Sequence, residues 1–189
     1  MQDITIAKQR LATLLYERSY KEGHFTLASG RTSDYYFDCR VTALSSEGSC
    51  LLGQLFTDCL RDRAVVGVGG MTLGADPLVS ATTVCSYLAN RPLNGLIVRK
   101  EAKDHGTGQY VEGMGNFAKG DRIAVLEDVI TTGGSVLKAC QRLEEQGLCI
   151  DCICVVLDRE EGGRERLEKA GYTVFSLFTK EKLLALAKA

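Results

Sequence analysis

The sequence predicts an α/β protein with a mainly parallel central sheet flanked by helices on both faces. Short apolar runs alternate with amphipathic segments at helical spacing over most of the chain, the pattern of buried strands joined by crossover helices. Segments of unusual chemistry follow several of these runs: 69–74, 99–115 and 127–135. In such sheets ligands bind beyond the carboxyl ends of strands, so the three should converge at one edge. The 189 residues are 45% hydrophobic and 25% charged, with 20 Gly and only two Pro. That composition fits one globular domain rich in tight turns, without a disordered linker.

Residues 4–18 carry Ala7, Leu11, Leu14 and Leu15 at helical spacing, with Asp3 placed as the cap. Residues 25–40 are rich in Ser, Gly, Tyr and Phe and alternate, which predicts a short hairpin or extended pair. A helix is expected over 46–61, where Leu51, Leu52, Leu55, Phe56 and Leu60 share a face. A strand over 64–68 ends in Gly69-Gly70, and a helix over 73–89 holds Pro77 near its start, where proline is tolerated. Strands follow at 95–98 and 121–126, a helix at 134–146, a strand at 150–157, a short helix at 163–169, a strand at 172–177 and a helix at 180–188. No internal repeat, low-complexity tract or domain boundary interrupts this order.

A formal net charge of −1 offers no bulk attraction to nucleic acid or membrane. No apolar run approaches the roughly 20 residues that span a bilayer. The start, Met1-Gln2-Asp3-Ile4, lacks the features of a signal peptide, so a cytoplasmic location is expected. Eight cysteines are then expected to be reduced. Cys149, Cys152 and Cys154 resemble half a metal site but lack the second pair. Ile150, Cys152, Cys154 and Val156 read better as small core residues alternating along a strand.

The most informative stretch is Val125 to Ser135. An apolar strand ends in Glu127 and Asp128, then Val129 and Ile130 lead through Thr131, Thr132, Gly133 and Gly134 to Ser135 and a helix. A helix N-terminus entered through small residues presents free N–H groups and attracts phosphate. The two carboxylates just upstream can reach sugar hydroxyls or a magnesium shell. The bland alternative for them is a solvated strand end. The segment from Arg99 to Gly115 gathers Arg99, Lys100, Lys103 and His105 within seven residues, then repeated glycines. A basic lid over a polyanion and an ordinary solvated loop both fit it.

Three segments together resemble one family. Glu127 to Ser135 resembles the phosphoribosyl pyrophosphate motif of type I phosphoribosyltransferases. Arg99 to Gly106 resembles the catalytic loop of the orotate phosphoribosyltransferase family, and Phe25 to Phe37 its N-terminal hood. Asp158-Arg159-Glu160 also fits. The resemblance runs in order from about residue 25 to residue 161.

It implies the type I phosphoribosyltransferase fold, with a small hood (approximately 1–40 plus C-terminal elements) over a core of approximately 45–160. It implies transfer of a phosphoribosyl group from phosphoribosyl pyrophosphate to orotate, giving orotidine 5′-monophosphate and pyrophosphate, with Mg²⁺ as cofactor. It also implies a homodimer whose loop 99–115 crosses to the neighbouring site.

Lys103, Glu127 and Asp128 are the catalytic candidates. Arg99, Lys100, Lys103 and His105 would neutralise pyrophosphate, Thr131 to Ser135 would hold the 5′-phosphate, and Val129 and Ile130 belong to the same phosphoribosyl pyrophosphate-binding stretch. Glu127 and Asp128 would take the ribose hydroxyls. Thr131, Arg159, Tyr36 and Phe37 are the orotate-binding candidates, a guanidinium fork suiting a planar anion. A surface ion pair with Glu160 or Glu161 is the alternative for Arg159, and hood packing the better reading of Tyr35. Mg²⁺ is expected mainly on substrate and water oxygens, with Asp128 as a further ligand and no dedicated protein site. Gly69 to Gly74 would form the pyrophosphate loop. Some family members carry a lysine in that loop and another in the hood, where this chain has Thr72-Leu73 and Ala28. A transferase for purine bases and a non-catalytic phosphoribosyl pyrophosphate sensor are the alternatives.

Overall fold

The computed structural model describes residues 3–26, 32–102 and 109–188. Helix α1 (Ile4–Ser19) begins at Asp3, whose side chain accepts from the N–H groups of Thr5 and Ile6. Strands β1 (Tyr20–Thr26) and β2 (Thr32–Phe37) form an antiparallel pair. A short helix α2 (Cys39–Ala43), capped by Asp38, leads to α3 (Ser46–Cys59). The main sheet then builds as β3 (Gly67–Met71), α4 (Asp76–Leu88), β4 (Asn94–Val98), β5 (Val111–Glu112), β6 (Arg122–Ile130), α5 (Gly134–Glu145), β7 (Cys149–Asp158), α6 (Gly163–Lys169), β8 (Val174–Thr179) and α7 (Lys180–Ala187). Its strand order is β5-β4-β3-β6-β7-β8, parallel except for β5 against β4.

Both faces of the sheet are covered, as crossover connections require. Leu11, Leu15, Leu52, Phe56, Leu78 and Leu183 bring α1, α3, α4 and α7 against one face. Val136, Ala139, Leu143 and Leu167 bring α5 and α6 against the other. Alternate residues of β7 serve the two sides: Cys152, Cys154 and Val156 join the first cluster, Ile153 and Val155 the second. Phe56 and Phe178 are the largest fully buried side chains, each stabilising the fold by about 1.5–3 kcal/mol through apolar burial. No helix among the described residues is long and apolar enough to cross a membrane.

The differences from expectation have local causes. Strand β3 lies at Gly67–Met71 rather than 64–68, because its partners β4 and β6 pair with the glycines. A Cβ on Gly67 would stand 2.5 Å from the Phe117 ring, and one on Gly70 2.4 Å from the Leu126 carbonyl oxygen. Close approach, not flexibility, explains glycine there. Helix α4 starts at Asp76, three residues later than expected. Strand β6 continues through Glu127 and Asp128 to Ile130, held by pairing to β7 up to Asp158; the carboxylates are inside the strand rather than past its end. The hairpin starts at Tyr20, five residues early, and β8 runs to Thr179 rather than 177. The segment 99–115 is not loop throughout, since Val111 and Val98 pair and Met114–Asn116 makes a 3-10 turn. The expected alternation fails at Ile150, which packs on the second cluster while Cys152 packs on the first. A register shift in the β6–β7 pairing explains it: Ile123 faces Ile150 but Ala124 faces Cys152, leaving Asp151 over. Asp151 ion-pairs with Arg63 at 3.2 Å and with Arg122.

All eight cysteines are free thiols. Cys154 Sγ lies 3.7 Å from Cys59 Sγ and 4.0 Å from Cys152 Sγ, so the nearest additional thiol comes from α3. Cys149 is exposed, while Cys152 and Cys154 are buried.

Candidate active site

A cleft of about 420 Å³ opens at the carboxyl edge of β3, β6 and β7. Each wall follows a strand end. Met71 to Gly74 come from the end of β3 and its turn, Lys100 from just beyond β4, and Glu127, Asp128, Val129, Thr131, Thr132 and Ser135 from β6 and its turn. Arg159 follows β7, while Tyr36, Phe37, Asp38 and Arg40 descend from β2 and α2. Residues from each of the three segments singled out in the sequence therefore line this edge, the second through Lys100.

A smaller recess of about 100 Å³ adjoins the cleft, lined by Glu127, Val129 and the turn from Thr131 to Val136. Gly133 caps α5 with φ 74°, and no side chain caps the helix. A left-handed φ favours glycine at this point. The first N–H groups of α5 have no helical acceptor, so the recess presents donors and the positive end of the helix dipole. The turn is braced from behind. A Cβ on Gly163 would stand 2.7 Å from the Thr131 carbonyl oxygen and 3.0 Å from the Gly133 nitrogen, and Arg166 Nη1 donates to the Thr132 carbonyl at 3.3 Å. Ile130 is buried beneath it.

The carboxylates are electrostatically costly. Glu127 is 8% exposed, and its Oε2 is buried without a hydrogen-bond partner among the described residues. Burial pushes its pKa well above the usual carboxylate value; Asp128 adds to the rise and Lys100 opposes it. Burial also raises Asp128, offset by the Val129 N–H, which donates to Oδ1 at 2.8 Å, and by the charge of Arg40. Gly74 lies so close to Asp128 that a Cβ would stand 2.7 Å from Oδ1. The turn holding Gly74 contains a cis peptide between Thr72 and Leu73, and Thr72 Oγ1 donates to Asp76 Oδ2 at 2.7 Å.

On the opposite wall Arg159 is 9% exposed. Its Nε donates to Glu161 Oε1 at 2.7 Å and its Nη2 to Ser33 Oγ at 3.0 Å, with the guanidinium 4.2 Å from the Tyr35 ring. The ion pair with Glu161 is present, and Arg159 lines the cleft as well. Glu160 is exposed, and its N–H donates to Asp158 Oδ1. Tyr35 is buried, stacks on Tyr20 and receives Lys180 at 4.2 Å; burial raises its phenol to about 12. Tyr36 and Phe37 line the cleft, the first exposed and the second buried.

Arg99 does not line the cleft. It ion-pairs with Glu112 on β5 at 2.9 Å. Lys100 does line it. Lys103, His105 and Ala28 lie outside the described residues. Two lining residues escaped the sequence reading. Asp38 and Arg40 form a two-bond ion pair at 2.8 and 2.9 Å at the cleft mouth. The pairing lowers the Asp38 carboxyl and raises the Arg40 guanidinium. Their only signal was a charged pair directly after the aromatic hood segment.

An N–H-lined recess at a helix N-terminus with two acidic residues beside it is the arrangement expected of a phosphoribosyltransferase. A sequence model of the phosphoribosyl transferase domain matches residues 78–182. Orotate phosphoribosyltransferases of Thermosynechococcus vestitus and Synechocystis sp. are 47% and 42% identical to this chain. The alignments cover 90% and 95% of it, and 89% and 94% of the relatives. The crystal structure of Mycobacterium tuberculosis orotate phosphoribosyltransferase in complex with Fe(III) dicitrate superposes with a TM-score of 0.82 at 36% identity, covering 94% of this chain and 98% of that one. The chain belongs to the orotate phosphoribosyltransferase family.

Proposed function

We propose that the chain transfers the 5-phosphoribosyl group from phosphoribosyl pyrophosphate to orotate, giving orotidine 5′-monophosphate and pyrophosphate in pyrimidine nucleotide synthesis. The observation that carries this is one cleft holding an N–H-lined recess, two carboxylates and a braced guanidinium. The reaction displaces pyrophosphate at the anomeric carbon of ribose. Positive charge develops on the sugar and negative charge on the leaving group, so positioning and preorganised electrostatics should dominate.

The residues divide the work as follows. The turn Thr131 to Ser135 holds the 5′-phosphate through N–H and hydroxyl groups. Glu127 and Asp128 accept from the ribose hydroxyls, which satisfies the orphaned Glu127 oxygen. Arg159 pairs with the orotate carboxylate or ring carbonyls, with Tyr36 and Phe37 against the flat ring and Thr131 at its edge. Lys100 neutralises pyrophosphate within its own subunit. Lys103 is assigned the most direct catalytic contact, with Arg99 and His105 beside the leaving group. With Ala28 and Leu73 in place of lysines, much of the cationic work falls on these residues.

Mg²⁺ fits the donor set, because a hard cation prefers carboxylate oxygens and keeps water and substrate ligands. Asp128 is the protein ligand we assign. Mg²⁺ would otherwise be held by substrate and water oxygens. Bound Mg²⁺ would neutralise charge on the diphosphate oxygens.

We further infer a homodimer located in the cytoplasm, with the hood (approximately 1–40 plus C-terminal elements) over a core of approximately 45–160. Support for the dimer comes from exposed apolar residues: Val41, Leu44 and Leu73 around one groove, and Val84, Tyr87 and Leu88 farther along α4. Leu73 and Arg40 line both the cleft and the groove of Val41 and Leu44. With a second copy seated there, the 99–115 segment would cross to the neighbouring site beyond Lys100, which stays in its own cleft. Turnover with orotate against adenine, guanine and hypoxanthine tests the reading. Orotate alone should be consumed; activity only with a purine refutes it, as does donor binding without pyrophosphate release.

A further inference from the structure

Arg142 sits on α5, eight residues after its first residue Gly134, and the chemistry assigned to the cleft makes no use of it. It is 8% exposed. Its Nη1 donates to the carbonyl oxygen of Arg99 and its Nη2 to that of Lys100 at 3.2 Å. The same guanidinium lies 3.8 Å from the centre of the Tyr110 ring. The Arg99 N–H donates in turn to the Tyr110 carbonyl at 2.7 Å. One buried cation thus ties the backbone leaving β4 to the backbone approaching β5. Because it holds carbonyls, the contact fixes main chain and leaves the side chain of Lys100 outside it, while that of Arg99 pairs with Glu112.

Lys100 is the group this placement serves. It lines the cleft and its charge acts on Glu127. Its backbone carbonyl is one of the two that Arg142 holds. Helix α5 therefore carries both ends of an arrangement about 12 Å long: the anion recess at its first turn and the anchor of Lys100 two turns later. A planar fork can bridge two carbonyls and stack on a ring at once, whereas an ammonium cannot.

We propose that Arg142 is a positioning residue for phosphoribosyl transfer, holding the Arg99-Lys100 backbone so that Lys100 faces the pyrophosphate side of the cleft. This rests on the activity proposed above.

The test is a double-mutant cycle on the full-length enzyme, with kcat and KM for orotate and phosphoribosyl pyrophosphate. Arg142→Met should lower kcat about tenfold or more, with the orotate KM within about twofold of wild type. Arg142→Lys should restore little of the loss. In a Lys100→Ala background the Arg142→Met change should alter kcat by less than about twofold, as expected for residues acting as a unit. Losses that multiply, or an Arg142→Met enzyme with wild-type kcat, overturn the proposal. If Arg142→Met fails to fold, the cycle is run with Arg142→Lys and Tyr110→Leu, read in the same way. A wild-type enzyme inactive on orotate refutes the activity itself, an outcome separate from the cycle.

Discussion

Gly74→Ala puts the packing of the cleft to a quantitative test. A methyl group at Gly74 would stand 2.7 Å from Asp128 Oδ1 and 2.8 Å from both Cγ and Oδ2. The Gly74 backbone has little freedom to retreat, because the next N–H, of Ala75, bonds to the Met71 carbonyl at 3.1 Å. Asp128 is short, and its Oδ1 is held by the Val129 N–H at 2.8 Å. The carboxylate must therefore withdraw by about half an ångström or more, and overpacking of this kind costs roughly 1–3 kcal/mol. Each kcal/mol lowers the melting temperature by about 2–4 °C in a chain of this size. The catalytic effect should be larger, since misplacing a positioned group by about 1 Å costs on the order of 10²-fold. Loss of orotate absorbance, followed while phosphoribosyl pyrophosphate is varied, should show kcat/KM for the donor reduced about 10- to 100-fold. Asp128→Ala removes the clash, so adding Gly74→Ala to that variant should cost little further stability. A folded Gly74→Ala enzyme with kcat/KM within twofold of wild type would refute the reasoning.

Glu127→Gln should raise the melting temperature at neutral pH while lowering turnover. Its folded pKa is raised, so the stability it contributes is present below the unfolded value and lost as pH rises toward the folded one. The stability gain of the variant should shrink toward zero near pH 4, and a constant gain from pH 4 to 8 would count against the desolvation account. Arg159→Lys should raise the orotate KM by roughly 10- to 100-fold, the value of about 1.5–3 kcal/mol for a charged hydrogen bond, and leave the donor KM unchanged; equal effects on both would remove Arg159 from the base site. Mixing Lys103→Ala subunits with Asp128→Ala subunits should restore part of the activity each has lost. No recovery in proven mixed dimers would argue against shared sites.

The parts of this molecule that could be read from sequence are those whose signal is local. The apolar runs of β6 and β7, the cap at Asp3 and the Thr131–Gly134 turn each declare themselves within a few residues. The two residues of β5 are too few to show a period. Strand β3 is displaced because its glycines answer to atoms of Phe117 and Leu126, distant in sequence. Site roles divide the same way. Glu127 and Asp128 were visible as acids, but not the burial that raises both. Arg159 was visible as a guanidinium, but not the brace of Ser33, Tyr35 and Glu161 around it. Arg142 was invisible, since helical spacing alone does not reveal which carbonyls a distant segment will present to it.

The seat of the donor can be observed directly. A crystal of the enzyme soaked with phosphoribosyl pyrophosphate, orotate and Mg²⁺ should show the 5′-phosphate against the N–H groups of residues 131–135, the ribose hydroxyls on Glu127 and Asp128, and the base beside Arg159. Density for the phosphate elsewhere, with those N–H groups facing only water, would contradict it.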